Sequence, residues 1–223
     1  MCRSRRVDRG GLCEECERAL SPRYEVRCPR CAVRLGPHVP VKAPCAKCRT
    51  SEFAFRSARA LFTFEGTVRE QIHAAKFGKQ WSVGRRLART FARSIHREHI
   101  PEDVSLIVSV PMFWWNRRLR GVNLAEELAR ALAETHRIEH DPRLLRQLRP
   151  MPPQFTLNAA ERQRNVTGLF AVRDRGRLDN VTALLVDDVM TTGATASECA
   201  RLLKRAGAKT VHVAVLARTE PPA

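Results

Sequence analysis

The sequence is poor in groups that usually build a membrane segment, a stacking surface or a lysine-based phosphate site. No apolar run reaches the ~18 residues of a membrane span, and the opening Met-Cys-Arg-Ser-Arg-Arg leads into no apolar signal core. The expectation is a cytoplasmic protein without a membrane span. Aromatic residues make up 6% of the chain, with one Tyr, and they are scattered, so no base-stacking platform is expected. Only six of the 40 basic residues are Lys, and no Gly-Lys-Thr/Ser follows the turn at Gly193, which excludes a Walker phosphate loop there. Beyond residue 48 a single cysteine remains, Cys199, too few for a disulfide scaffold.

What the chain has in excess is positive charge. A formal charge of +17 and a pI near 10.8 favour an anionic partner such as nucleic acid, nucleotide or pyrophosphate. A preference for Arg over Lys also follows from genomic base composition, so charge alone does not choose the partner. The 223 residues can hold one full α/β domain plus a small appendage.

Residues 184–195 read Leu-Leu-Val-Asp-Asp-Val-Met-Thr-Thr-Gly-Ala-Thr. A buried strand over Val181–Val186 is expected to deliver Asp187 and Asp188 at its carboxyl end. Paired carboxylates there can accept hydrogen bonds from a vicinal diol. The following Thr191, Thr192, Gly193, Ala194 and Thr195 offer hydroxyls and backbone N–H groups to a phosphate, beside the positive end of a helix starting near Ala194. A diol beside a phosphate is ribose 5-phosphate. The bland alternative is a strand–turn–helix junction with Thr caps and solvated acids. Two acids ending a buried strand argue against it.

Seven of the eight cysteines lie within the first 48 residues, mostly in C-x-x-C pairs, which in a reducing compartment point to metal. Cys28, Cys31, Cys45 and Cys48 make a complete four-thiolate zinc set of zinc-ribbon spacing. Cys13 and Cys16 make half of a second set. Cys2 then reads as the second member of another pair whose mate lies upstream of Met1. The alternatives are a three-thiolate site completed by His38 or Asp8, or no first metal. Residues 1–50 lack large aliphatics, so metal binding would supply their folding free energy. The expected division is a zinc module over 1–50 and an α/β domain over 57–219, with chelation unfolding the module alone.

Elsewhere, Gly66 and Thr67 open a helix with Val68, Ile72 and Ala75 on one face, ending at Phe77. A second helix is expected over Ser82–His99, a central strand over Val104–Val110 and a helix over 124–136. Residues 141–169 read as loop and short helix, with a strand at 169–172, a helix at 194–206 and a last strand over Thr210–Leu216. Alternating strands and helices imply a parallel sheet. Ligands in such sheets sit beyond the carboxyl ends of the strands. An anionic ligand placed there calls for further cations, and Lys76, Arg117, Arg118, Arg120, Arg162 and Arg164 are candidates; each can equally be a solvated basic residue. Trp114 and Trp115 read as buried packing. Cys199 reads as a small core residue, and the histidines show no ligand spacing.

The strand–Asp-Asp–Thr-Thr-Gly-x-Thr stretch resembles the 5-phosphoribosyl-1-pyrophosphate (PRPP) motif of type I phosphoribosyltransferases. The order of further pieces is similar to the ComF family, a double zinc ribbon joined to a phosphoribosyltransferase domain. Those pieces are the C-x-x-C pairs, Ile-His-Ala-Ala-Lys-Phe (72–77), Val-Ser-Val-Pro (108–111), Arg-Arg-Leu-Arg-Gly-Val-Asn (117–123), Pro-Pro-Gln (152–154) and Glu-Arg-Gln-Arg-Asn-Val-Thr-Gly-Leu-Phe (161–170). The resemblance implies a type I phosphoribosyltransferase fold that binds PRPP with Mg2+, with one or two structural Zn2+ ions. It also implies a link to natural competence through single-stranded DNA and recombination or uptake proteins. Under it, Asp187 and Asp188 hold the ribose hydroxyls, Thr191–Thr195 hold the 5-phosphate, and Lys76, Arg118, Gly121 and Asn123 occupy the other motif positions. The chain departs where the family has Arg-Gly-Phe-Asn-Gln: Val122 and Leu124 replace the Phe and the Gln. A PRPP- or nucleotide-sensing module that binds single-stranded DNA without turnover is the alternative to a transferase.

Overall fold

The computed structural model describes residues 25–36, 43–50, 52–77, 80–150, 165–174 and 176–220. A five-stranded parallel sheet forms the frame, in the order β1–β7–β6–β2–β3. Its strands are β1 (Ser57–Thr63), β2 (Val104–Ser109), β3 (Glu139–His140), β6 (Thr182–Met190) and β7 (Thr210–Arg218). β4 (Leu145–Gln147) and β5 (Phe170–Val172) pair antiparallel in a separate small sheet. The helices are α1 (Ala46–Thr50), α2 (Gly66–Phe77), α3 (Trp81–Ser94), α4 (Trp114–Arg120), α5 (Leu124–His136) and α6 (Ala194–Arg205).

The strands are apolar on both faces because both faces are covered. Successive residues of β6 and β7 enter opposite cores. Leu184, Val186, Ala214 and Leu216 join the layer formed with α2, α3 and α5. Leu185, Val211, Val213 and Val215 join α6, the β4–β5 pair and Phe55. Helix periodicity follows from the same demand: Leu87 and Phe91 of α3, and Leu128 and Leu132 of α5, are fully buried at four-residue spacing. Cys199 is buried in α6, as its neighbours suggested.

Several boundaries differ from the sequence reading. The second helix stops at Ser94, and a short 3-10 turn covers Arg97–His99. Trp114–Arg120 is a helix that its surface-exposed apolar residues did not suggest, and β4 is a strand inside a stretch read as loop and helix. The segment at Phe170–Val172 pairs with β4, outside the main sheet. β6 and β7 both run further than expected, because they sustain each other: Asp187 pairs with Val215, Val189 with Ala217 and Met190 with Arg218. The two acids therefore lie within a strand rather than after one.

On the other side of β6, pairing with β2 ends at Ser109 and Val186. The chain leaves β2 toward β3 and leaves β6 toward β7, so connections diverge at that point. A crevice at the carboxyl ends of β2 and β6 is the outcome, which is where open α/β sheets bind ligands.

Candidate functional site

Asp187 and Asp188 stand at the crevice, with one edge of their strand held by β7 and the other free of β2. Alternation along the strand sends them to opposite faces. Asp188 is buried and accepts an ion-paired hydrogen bond from Lys76 Nζ at 2.7 Å. Lys76 is the last basic residue of α2, where a helix end favours a cation. Burial, with the neighbouring Asp188 charge, pushes the Asp187 carboxyl up to about 7, against the opposing pull of Lys76 and the Asp188 N–H. Near neutrality Asp187 can therefore either accept or donate a hydrogen bond.

Gly193 caps α6 in the left-handed region, at φ +87°, where other residues are strained. A side chain there would also meet Phe53, whose Cε1 lies 3.0 Å from the position a Cβ would take. The turn is tied down from within. Ala194 N–H donates to Thr192 Oγ1 at 3.3 Å, and Ser197 N–H to the Gly193 carbonyl at 2.8 Å. Among the described residues, the N–H groups of Thr195 and Ala196 meet no acceptor. They sit at the positive end of a three-turn helix, a ready seat for an anion. Thr191, Thr192 and Thr195 remain partly exposed around it.

Asn123 and Gly121 have positions that the sequence did not reveal. Asn123 is buried, and its Nδ2 donates to the Val110 carbonyl at 3.0 Å, fixing the segment that follows β2. Gly121 ends α4 at φ +82°, and its missing Cβ leaves room for Trp81 Cζ2, which would otherwise lie 2.8 Å away. Arg118 is exposed on α4. Arg117 pairs with Glu126 through two bonds of 2.7 and 3.1 Å, which leaves it less free for a ligand. Leu124, at the position where a Gln amide was expected from the resemblance, is buried in the core and cannot face the crevice. Trp114 and Trp115 are exposed, contrary to the packing role read for them, because α4 contributes no buried side chain to the core. Arg162 and Arg164 lie outside the described residues.

The four sulfurs of Cys28, Cys31, Cys45 and Cys48 lie within 4.8 Å of one another, a set that can hold one metal ion. Four Zn–S bonds of 2.3 Å in a tetrahedron place sulfurs about 3.8 Å apart, and Cys31 and Cys45 are 3.7 Å apart. The donor set therefore fits zinc. Burial raises Cys28, but backbone N–H groups of Cys45, Cys31 and Arg30 outweigh it and bring the thiol down to about 7. Burial pushes Cys31 up to about 11 and Cys48 well above the usual thiol range. Four crowded thiols resist ionising together unless a cation joins them. Cys2, Cys13 and Cys16, with His38 and Asp8, lie outside the described residues.

One residue absent from the sequence reading joins this cluster to the turn at Thr191–Thr195. Arg218, 5% exposed at the end of β7, donates Nε to the Cys31 carbonyl at 3.0 Å and Nη1 to the Met190 carbonyl at 3.0 Å. The same Nη1 reaches the Thr191 and Thr219 carbonyls. Arg30 adds a second tie by donating to the carbonyls of Phe53 and Arg56 at 2.8 and 2.7 Å. Ala54 N–H donates to Ser197 Oγ at 3.0 Å, so the segment under Gly193 is fastened at both ends. A charged residue directly after an apolar run was the available signal for Arg218.

The sequence matches the family model described as phosphoribosyl transferase domain over residues 84–221. The chain belongs to this family. The phosphoribosyltransferase domain thus contains the acid pair, the turn at Thr191–Thr195 and Arg218. DNA utilization protein YhgH of Salmonella typhimurium (strain LT2) is 30% identical over 214 residues, 94% of this chain and 91% of that one. The protein of the same name from Salmonella typhi is 31% identical over the same shares. Competence protein F of Haemophilus influenzae is 25% identical over 219 residues, 95% of this chain and 92% of its own length. The kinship with ComF proteins expected from the ordered motifs is borne out.

Proposed function

We propose that the protein binds PRPP, as its Mg2+ complex, at the carboxyl end of β6 and serves the handling of DNA, the role in the names of its relatives YhgH and Competence protein F. The observation that carries the reading is the acid pair beside a helix N-terminus with two N–H groups unclaimed among the described residues. Asp187 and Asp188 would take the ribose hydroxyls, and Thr191–Thr195 the 5-phosphate. Lys76 is positioned to leave Asp188 for the pyrophosphate when an anion arrives, with Arg118 as a further cation. The oxygen donors of the turn and of the acids suit Mg2+, which would neutralise part of the pyrophosphate charge. Zinc at Cys28, Cys31, Cys45 and Cys48 would be structural, since all four positions are thiolates. The first cysteine pair, Cys13 and Cys16, with Cys2, would hold a second ion.

Turnover would break the bond from C1 to the pyrophosphate oxygen, the electron pair leaving with pyrophosphate. A nitrogen nucleophile would then form the new bond to C1 and release its proton. A non-catalytic, sensing version has one observation in its favour: Leu124 is buried in the core, so no amide from that position reaches the crevice. Calorimetric titration of PRPP with Mg2+ tests the binding, with Asp187→Asn/Asp188→Asn as the control. Binding that this pair of changes weakens at least ~100-fold supports the reading. Equal binding by the variant refutes it. Pyrophosphate release across a panel of bases then separates transferase from sensor.

A further inference from the structure

The chain has three tryptophans, and all three are exposed. Trp81 is 53% exposed, Trp114 61%, Trp115 51%, and Phe77 and Leu119 are 58% and 61% exposed. The pieces touch. Arg120 lies over the Phe77 ring at 4.5 Å, Gly121 packs beneath Trp81, and Trp114 meets Trp115 edge to face at 5.4 Å. Trp115 and Leu119 are one turn apart on α4 and share a face. Large rings left this exposed beside one another mark a binding surface.

The neighbouring charge identifies it. From Trp81, α3 carries Arg85, Arg89 and Arg93 at successive four-residue steps, all exposed, about 6 Å apart along the axis. None of the three has an ion pair among the described residues. Neither α3 nor α4 contains an acidic residue. Rings beside an unneutralised row of arginines match unpaired bases attached to a phosphate backbone. A hydrophobic protein partner would find the arginines in its way, and duplex DNA hides the base faces that the rings would stack on.

We propose that this surface binds single-stranded nucleic acid, with bases stacked on Trp81, Trp114 and Trp115 and the backbone following Arg85, Arg89 and Arg93. Phe77 adjoins Lys76, so the strand would pass the rim of the ribose-phosphate crevice. The proposal deepens the DNA-handling part of the proposed function and does not need PRPP turnover. It departs from the expectation of no stacking platform, because the end of α4 meets Trp81 and Phe77 from elsewhere in the sequence.

Titration of the intact protein with a 30-residue oligothymidylate tests it, because tryptophan emission reports only from this surface. The expected result is quenching that saturates with oligothymidylate, is at least tenfold weaker with an abasic oligomer of equal length, and is weaker again with duplex. Oligouridylate in the same assay distinguishes RNA from DNA, and either strand supports the surface. By fluorescence anisotropy, Trp114→Ala/Trp115→Ala should weaken binding about tenfold or more. Arg85→Gln/Arg89→Gln/Arg93→Gln should lower the slope of log affinity against log salt by about two. PRPP binding should stay within twofold in both variants, so failure here is distinct from failure of the pocket reading. Unquenched tryptophans, tighter binding of duplex, or burial of the tryptophans in a self-associated dimer by sedimentation would overturn it.

Discussion

Arg218 and Arg89 serve two regions built on opposite lines. Arg218 is buried and its guanidinium is taken up by carbonyls of the cysteine cluster and of the turn after β6. Arg89 stands in solvent on α3 with no ion pair among the described residues. The turn after β6 is a shaped seat, each part fixed by its neighbours, suited to one small ligand recognised by geometry. The α3–α4 surface has no such support and suits a long, repetitive polyanion recognised by charge and ring faces. Charge reads the same in both regions at the level of composition; only burial separates them.

The sharpest way to break this contrast is Arg218→Met. It should destabilise the protein by ~2–4 kcal/mol in urea unfolding, because it leaves buried carbonyls unsatisfied. PRPP binding should fall with it, while a comparable change at Arg89 should move stability by under ~0.5 kcal/mol. Gly193→Ala places a Cβ at φ +87° against Phe53. It should cost ~1–2 kcal/mol and weaken PRPP binding about tenfold, leaving oligothymidylate binding intact. Gly121→Ala, at φ +82° under Trp81, should cost about 1 kcal/mol and reverse that pattern, disturbing the strand and sparing PRPP.

A smaller effect follows from Asp187. Its folded pKa of about 7 lies above the ordinary Asp value of 3.8, so the folded state holds the proton more tightly. Its contribution to stability therefore declines as pH rises between those two values and is constant above them. Ribose binding to the ionised carboxylate should strengthen as pH rises through about 7. Asp187→Asn should flatten both profiles, measured by thermal unfolding and calorimetry across pH 5 to about 9.

Much of the frame was legible because burial imposes period on sequence. Val68, Ile72 and Ala75 marked α2, and the continuous apolar run of Val104–Val110 marked β2. The acid pair and the phosphate turn were legible because they are local: twelve adjacent residues contain the whole pattern. What escaped notice depends on residues far apart in the chain. The Arg218–Cys31 bond spans 187 positions, and the surface around Trp81 and Trp114 exists only once α3 and α4 are packed. The length of β6 was missed because its partner, β7, decides where it ends. The zinc-ribbon spacing gave the four sulfurs correctly, but not that their loop would be joined to the turn after β6 through the Arg218 guanidinium.

The most direct test is a crystal of the protein soaked with PRPP and Mg2+. The account predicts ribose hydroxyls on Asp187 and Asp188, with the 5-phosphate on the N–H groups of Thr195 and Ala196. Density for the ligand elsewhere, or a crevice that stays free of it at saturating concentration, would contradict it.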